Sequence, residues 1–267
     1  MTIIKRWLGK RSSAHHQEPQ QPTRQPTPQA THQPTPQEPV DSLFVTAENE
    51  YGRYAVPRSS AHRTAARMVI AGEVYEPDTI ALIRRECGQG DVVHAGTFFG
   101  DFLPGLSSGL APGARVHAFE PNPDSYECAR TTLELNQIDN VSLHWLGLGP
   151  ESGRGDLITI NAQGVPRGGA SRIVREGETV LGGSVTVEVP IDSIDARVPA
   201  DRTVSVLQLD VEGHEEAALS GAVRTIERCR PLIILESVPE EWVAAHLAPL
   251  GYRAAERVHH NTVFRIP

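Results

Sequence analysis

Between Asp91 and Asp101 the chain reads Asp-Val-Val-His-Ala-Gly-Thr-Phe-Phe-Gly-Asp, a stretch that leaves few folds open to it. Val92, Val93 and Ala95 are small or β-branched and suit a central parallel strand buried on both faces. Gly96 and Gly100 let the backbone turn sharply and come close to a ligand. The helix expected next presents free N–H groups and a positive dipole end to that ligand. Pro104 fits its first turn, where an N–H has no intrahelical partner. A strand, a glycine turn and a helix start in this order make a nucleotide-sized site.

The remaining pattern alternates strand and helix, as α/β domains do. Strands are expected at Arg115 to Glu120, Val141 to Leu146, Val204 to Asp210 and Leu232 to Glu236. Helices are expected at Asp124 to Asn136, from Gly213 through Glu227, and at Glu240 to Leu250. Ahead of the glycine turn, Thr64 to Gly72 and Pro77 to Cys87 have helical spacing, the second opening at proline and ending before Gly88. Gly155 to Asn161 and Ser184 to Val189 alternate like exposed antiparallel strands around a glycine-rich, mobile connection, Ala162 to Gly183. Tyr252 to Val258 and Thr262 to Ile266 predict a hairpin turning through His259, His260 and Asn261, which makes the sheet mixed.

At 267 residues the chain is long enough for a substantial core. Residues 89–267 are expected to form the main domain. Residues 1–11 place Ile3, Ile4, Trp7 and Leu8 at helical spacing among basic side chains. This segment is either a frayed terminus or a weak peripheral membrane or partner-docking helix. Residues 12–40 are rich in Pro, Gln and Thr and repeat Gln-Pro-Thr-Pro-Gln, the composition of a disordered linker. Residues 41–88 read as an amino-terminal arm with helices. Within it Tyr51 to His62 is either a substrate-facing lid or an arm packed on the core by its tyrosines.

With 25 Lys plus Arg against 33 Asp plus Glu, the net charge of −8 gives no electrostatic reason to expect a nucleic-acid partner. Cys87, Cys128 and Cys229 lack ligand-like spacing and read as reduced thiols of a cytoplasmic protein. No apolar run approaches the roughly 20 residues that span a bilayer.

Glu120 lies at the end of the next strand, where an acid can accept both ribose hydroxyls of an adenosine lying across the carboxyl edge of the sheet. The glycines follow Gly-x-x-x-Gly rather than Gly-x-Gly-x-x-Gly, which argues against an ordinary dinucleotide site and suits S-adenosylmethionine, which has no phosphate. From Asp91 to Phe264 the chain resembles the FkbM family of class I S-adenosylmethionine-dependent methyltransferases. The resemblance rests on Val116-His-Ala-Phe-Glu-Pro-Asn-Pro123, Val189-Pro-Ile-Asp-Ser-Ile-Asp195 and above all Leu207-Gln-Leu-Asp-Val-Glu-Gly-His-Glu215.

The resemblance implies a Rossmann-like α/β fold. Its sheet would have seven strands, mostly parallel with a carboxyl-terminal antiparallel hairpin, and helices on both faces. Gly96, Thr97 and Gly100 would wrap the methionine part and ribose, and Glu120 would hold the ribose. Asn122 with Leu148 and Gly149 would border the adenine, and Asp210 would lie next to the donor methyl. Members of the family commonly carry Asp two residues before the first glycine; this chain has His94 there.

Family members mostly methylate hydroxyls, so the expected acceptor is a small molecule, sugar or glycan. A sulfonium donor is already activated, and in-line positioning supplies much of the rate. A hydroxyl acceptor must also lose a proton, to a base or as a metal-bound alkoxide. Asp210 is the candidate methyl-site residue, and Glu212 or His214 the candidate base. Asp210, Glu212 and Glu236 are candidate ligands should a divalent metal such as magnesium take part. The rival readings are a catalytically silent scaffold of the same fold and a nicotinamide-dependent oxidoreductase.

Overall fold

The computed structural model of the protein describes residues 43–267. The expectations for 1–11 and 12–40 lie outside the described residues. The described chain opens with an antiparallel hairpin, β1 (Phe44–Asn49) and β2 (Gly52–Pro57). Helices α1 (Thr64–Ile70) and α2 (Pro77–Glu86) lead into β3 (Asp91–Ala95). Next come α3 (Leu103–Ser107), β4 (Val116–Phe119), α4 (Pro123–Leu135) and β5 (Val141–His144). A second sheet contains β6 (Gly147–Leu148), β7 (Gly153–Ile160), β8 (Arg172–Ile173) and β9 (Val185–Asp192), in the order β6-β9-β7-β8. The chain returns through α5 (Ile194–Arg197), β10 (Val204–Leu209), α6 (Glu215–Ser220) and α7 (Val223–Cys229). It closes with β11 (Leu232–Leu235), α8 (Glu240–Trp242), β12 (Arg253–Val258) and β13 (Asn261–Arg265).

The main sheet has seven strands in the order β12-β13-β11-β10-β3-β4-β5. The five from β11 to β5 are parallel, and the terminal hairpin joins antiparallel through β13. Val93, Leu207 and Leu209 turn to one face, where Ala218, Leu219 and Ile226 of α6 and α7 cover them. Val92 and Val206 turn to the other, against Ile80, Ile83, Leu103 and Leu106 of α2 and α3. This is the layered α/β fold with helices on both faces. The order reverses at β3: β4 and β5 continue to one side, β10 and β11 to the other. At such a switch point the loops leaving the carboxyl ends diverge and open a crevice.

Three elements depart from the expected ones. The helix after Gly213 is two helices, because Gly221 approaches the loop after β6 so closely that a Cβ there would lie 2.0 Å from the Gly149 carbonyl oxygen. The segment Glu240 to Leu250 tightens and loosens through a π turn (Val243–Leu247) and a 3-10 turn (Ala248–Leu250) around Pro249 before stopping at Gly251. The terminal turn is His259 and His260 alone, with Asn261 already paired to Val258 in the hairpin. Tyr51 to His62 is mostly hairpin, and Tyr54 is fully buried edge-on to Phe99.

The hairpin is tied to the glycine turn through α4. The buried Thr132 hydroxyl donates to the Phe99 carbonyl (2.9 Å) and accepts from the Ala55 amide (3.0 Å). Thr132→Val keeps the shape and strands both backbone groups, so it should cost about 1–3 kcal/mol, read as a lower urea midpoint with unchanged slope.

Candidate active site

The site is built where β3 and β10 end side by side. The Asp210 amide donates to the Ala95 carbonyl (3.0 Å). Gly96, at φ +84°, brings its backbone so close that a Cβ would lie 1.8 Å from the Asp210 carbonyl oxygen. Two compartments open from this junction, and Gly96, Gly169 and Asp210 are the residues that line both.

The first compartment is a mainly apolar slot walled by Phe119, Leu146, Leu148 and Leu157, with Glu120 at its base and Ser171 to Ile173 from the connection before β9. Glu120 is buried and accepts hydrogen bonds from the Phe98 amide (2.7 Å) and the Asn122 amide (2.8 Å). Burial pushes its carboxyl up to about 8 against the pull of those two amides. His214 lines this slot, not the second compartment, and burial holds its imidazole below the ordinary range.

The second compartment is polar. His94, Asp101, Gln208, Glu212 and Glu236 face it, with Tyr75, Phe98, Phe102 and Arg63 completing the wall. His94 is 2% exposed, stacks on Phe102 at 5.2 Å between ring centroids, and pairs its Nδ1 with Gln208 Oε1 at 2.5 Å. An amide oxygen only accepts, so Nδ1 carries the proton and Nε2 is left as an acceptor. Among the described residues no group hydrogen-bonds Nε2, which is itself buried. Burial lowers the imidazole to about 4, so the ring is neutral at ordinary pH.

Three carboxyls here, Asp101, Glu212 and Asp210, are pushed towards the protonated form. Asp101 rises to about 7 through burial, with Glu76 adding to it. Burial and then Glu236 raise Glu212, against the pull of Arg63 and Arg167. Burial raises Asp210 well above the carboxylate range, and the adjacent Glu236 reinforces this by accepting its hydrogen bond. Phe98 (φ +50°) and Glu212 (φ +55°) hold the left-handed conformation without being glycine. Such strain gathers at ligand sites, where the surroundings over-determine the backbone.

Several expected site residues act differently. The Thr97 hydroxyl turns back to the His94 carbonyl (3.4 Å), and Gly100 lets Ala129 of α4 pack closely. Both therefore shape the turn and leave the wall to Gly96. Asn122 caps α4 by accepting from the Asp124 and Ser125 amides, while its Nδ2 donates to Ser171. Gly149 lies off the slot, its amide bonded to the Asp192 carbonyl. Asp210, Glu212 and Glu236 share the second compartment, but among the described residues no group of three or more His, Cys, Asp and Glu is placed to hold a metal ion. The sequence reading passed over Arg63, Tyr75, Phe98 and Gln208. Of these only Gln208, inside the Leu207 to Glu215 motif, carried a local signal.

Residues 86–252 match the family model described as the methyltransferase FkbM domain. The chain belongs to this family. The matched FkbM methyltransferase domain runs from the end of α2 through β11 and so contains the switch point at β3. Among solved structures it is similar to methyltransferase FkbM from Methylobacillus flagellatus KT. That match has 17% identity and a TM-score of 0.45, and it covers 66% of this chain and 43% of the other. The Pyrococcus abyssi tRNA (uracil-54, C5)-methyltransferase in complex with S-adenosyl-L-homocysteine is 14% identical. Its TM-score is 0.44, over 83% of this chain and 43% of that one. A SAM-dependent methyltransferase from Aquifex aeolicus is also 14% identical, with a TM-score of 0.39 over 73% of this chain and 91% of that one. The chain thus spans less than half the length of the first two. No curated protein sequence matches it. Among the described residues no helix is long and apolar enough to cross a membrane.

Proposed function

We propose that this FkbM-domain protein transfers the methyl group of S-adenosylmethionine to a hydroxyl of a small molecule or glycan. The observation that carries the proposal is the pair of compartments meeting at Gly96 and Asp210. A ligand with an adenosine at one end and an amino acid at the other would have to cross that junction with its sulfur. The residues fit such a ligand. Glu120 would accept from the ribose hydroxyls at the base of the apolar slot, and the unpartnered His94 Nε2 would accept from the amino group. The cofactor, when bound, supplies an activated methyl on a cationic sulfur.

The chain's own part is then to orient, exclude water and take a proton. Tyr75 and Arg63 reach the second compartment from the segments leading into α2 and α1. They are placed to bound an acceptor facing Asp210. Glu212 and the Asp210–Glu236 pair are the candidates to receive the acceptor's proton. His214 lines the apolar slot, which would put it on the adenosine side and away from that role. Neither the scaffold nor the oxidoreductase reading has a feature of this site in its favour.

The test is calorimetry with S-adenosylhomocysteine, followed by transfer of labelled methyl from S-adenosylmethionine to hydroxylated small molecules and glycans. Binding is expected, and Glu120→Ala should weaken it roughly 10–100-fold through loss of the ribose acceptor. Absence of binding to the unaltered protein would overturn the proposal.

A further inference from the structure

Asp210 and Glu236 stand one residue past the paired Leu209 and Leu235 of adjacent parallel strands, so the register sets their carboxyls side by side on one compartment wall. Two carboxyls so placed cannot both ionise cheaply unless a positive charge joins them. The groups facing them supply little. His94 and Gln208 are neutral, and Tyr75, Asp101, Glu212 and the buried Glu76 add hydroxyl or carboxyl. Behind the β10 loop, Glu215 is also acidic, and it accepts from the Val211 amide. The cations in reach are Arg63 and Arg167, which act on Glu212, and Arg172, which also acts on Glu212 and lines the apolar slot with Asp210 while paired to Glu178. His214 lies across the junction, in the apolar slot.

The sulfur of a cofactor spanning both compartments would fall at that same junction, which Asp210 lines. The unpartnered His94 Nε2, buried and lining the same compartment, independently marks it as a place where a ligand completes the polar contacts. We infer that the Asp210–Glu236 pair senses the charge on the cofactor's sulfur: it gives its shared proton to solvent when the cationic sulfonium enters and keeps it when the neutral thioether product is bound. The inference rests on the proposed use of S-adenosylmethionine. The balance closes over a turnover. The emptied pair is a base facing the acceptor; as the O–CH3 bond forms and the S–CH3 bond breaks, the proton leaving the acceptor hydroxyl restores the pair.

Burial and the neighbouring Glu236 raise Asp210, and an adjacent sulfonium would lower it again. Between those two values binding expels a proton, so sulfonium affinity rises with pH and levels off above the empty-site value. One full proton corresponds to roughly tenfold in affinity per pH unit.

The experiment is calorimetry of S-adenosylmethionine and S-adenosylhomocysteine on the intact chain, in two buffers of different ionisation enthalpy, from about pH 6 to about pH 8. The two ligands share the adenosine, amino and carboxylate groups and differ in the charge on sulfur. The expected result is release of up to one proton with the sulfonium and close to none with the thioether, the affinity ratio shifting towards the sulfonium as pH rises. Glu236→Gln should shrink the release, because the like-charge neighbour is gone. Equal proton counts for the two ligands overturn the inference while leaving the cofactor assignment standing. So does release that Glu236→Gln leaves unchanged. Failure of both ligands to bind removes the cofactor assignment and this inference together.

Discussion

Gly96→Val is expected to abolish binding of S-adenosylhomocysteine, with affinity down by more than about 100-fold, and to destabilise the domain by roughly 3–5 kcal/mol. Two independent costs meet at this position. The backbone sits at φ +84°, where an L side chain is strained, and a Cβ would lie 1.8 Å from the Asp210 carbonyl oxygen. The obstacle is backbone, so no rotamer change relieves it. The β3 and β10 tips would have to part, and with them the junction between the two compartments. Gly113 separates the two costs. Its φ is +86°, yet nothing lies within 4 Å of a built Cβ. Gly113→Val should lose only the roughly 1–2 kcal/mol of the left-handed conformation and bind normally. Calorimetric binding and urea unfolding of both variants check the contrast. Equal behaviour of the two would mean that the close approach at Gly96 is not what holds the site.

That turn was legible in the sequence because its constraints are local: a buried strand, two glycines and an early-helix proline within eleven residues. The central strands were legible for the same reason, and so was the acid at the tip of the neighbouring strand. What escaped is set by contacts between distant segments. His94 and Gln208 are 114 residues apart, and nothing near either one announces that the imidazole is held neutral with one buried nitrogen left without a partner among the described residues. The break at Gly221 answers to Gly149, in the loop after β6. The Leu207 to Glu215 motif brought Asp210, Glu212 and His214 forward together, but spacing alone could not tell which compartment each would face. Glu212 at φ +55° followed by Gly213 at φ +84° reverses the chain, so Glu212 and His214 separate to opposite sides.

Asp91→Ala is expected to cost about 3–5 kcal/mol, seen as a fall in melting temperature of roughly 10 °C, while the folded fraction still binds the cofactor. Asp91 opens β3 at the edge of the sheet opposite the site and is 1% exposed. Its carboxylate accepts from the Arg115 amide (2.9 Å), from His117 Nε2 (2.9 Å), and from Arg202 through Nε (2.8 Å) and Nη2 (2.5 Å). Arg202 also donates to the Gly113 carbonyl (2.7 Å), so the cluster pins the segment before β10 to the loop before β4. Alanine leaves a guanidinium and a buried imidazole without their shared acceptor, which is why the expected loss exceeds that of a surface ion pair. Burial works against ionisation of Asp91, but Arg202, His117 and the Arg115 amide outweigh it and hold the carboxyl below its usual range. The sign follows from that depression. The stabilisation is fully present above the unfolded-chain value of about 3.9 and is lost as pH falls through the lower folded value. The stability gap between the unaltered protein and Asp91→Ala should therefore be constant near neutrality and close on acidification below about pH 4. A gap that did not depend on pH in that range would show that Asp91 acts through packing and not through its charge.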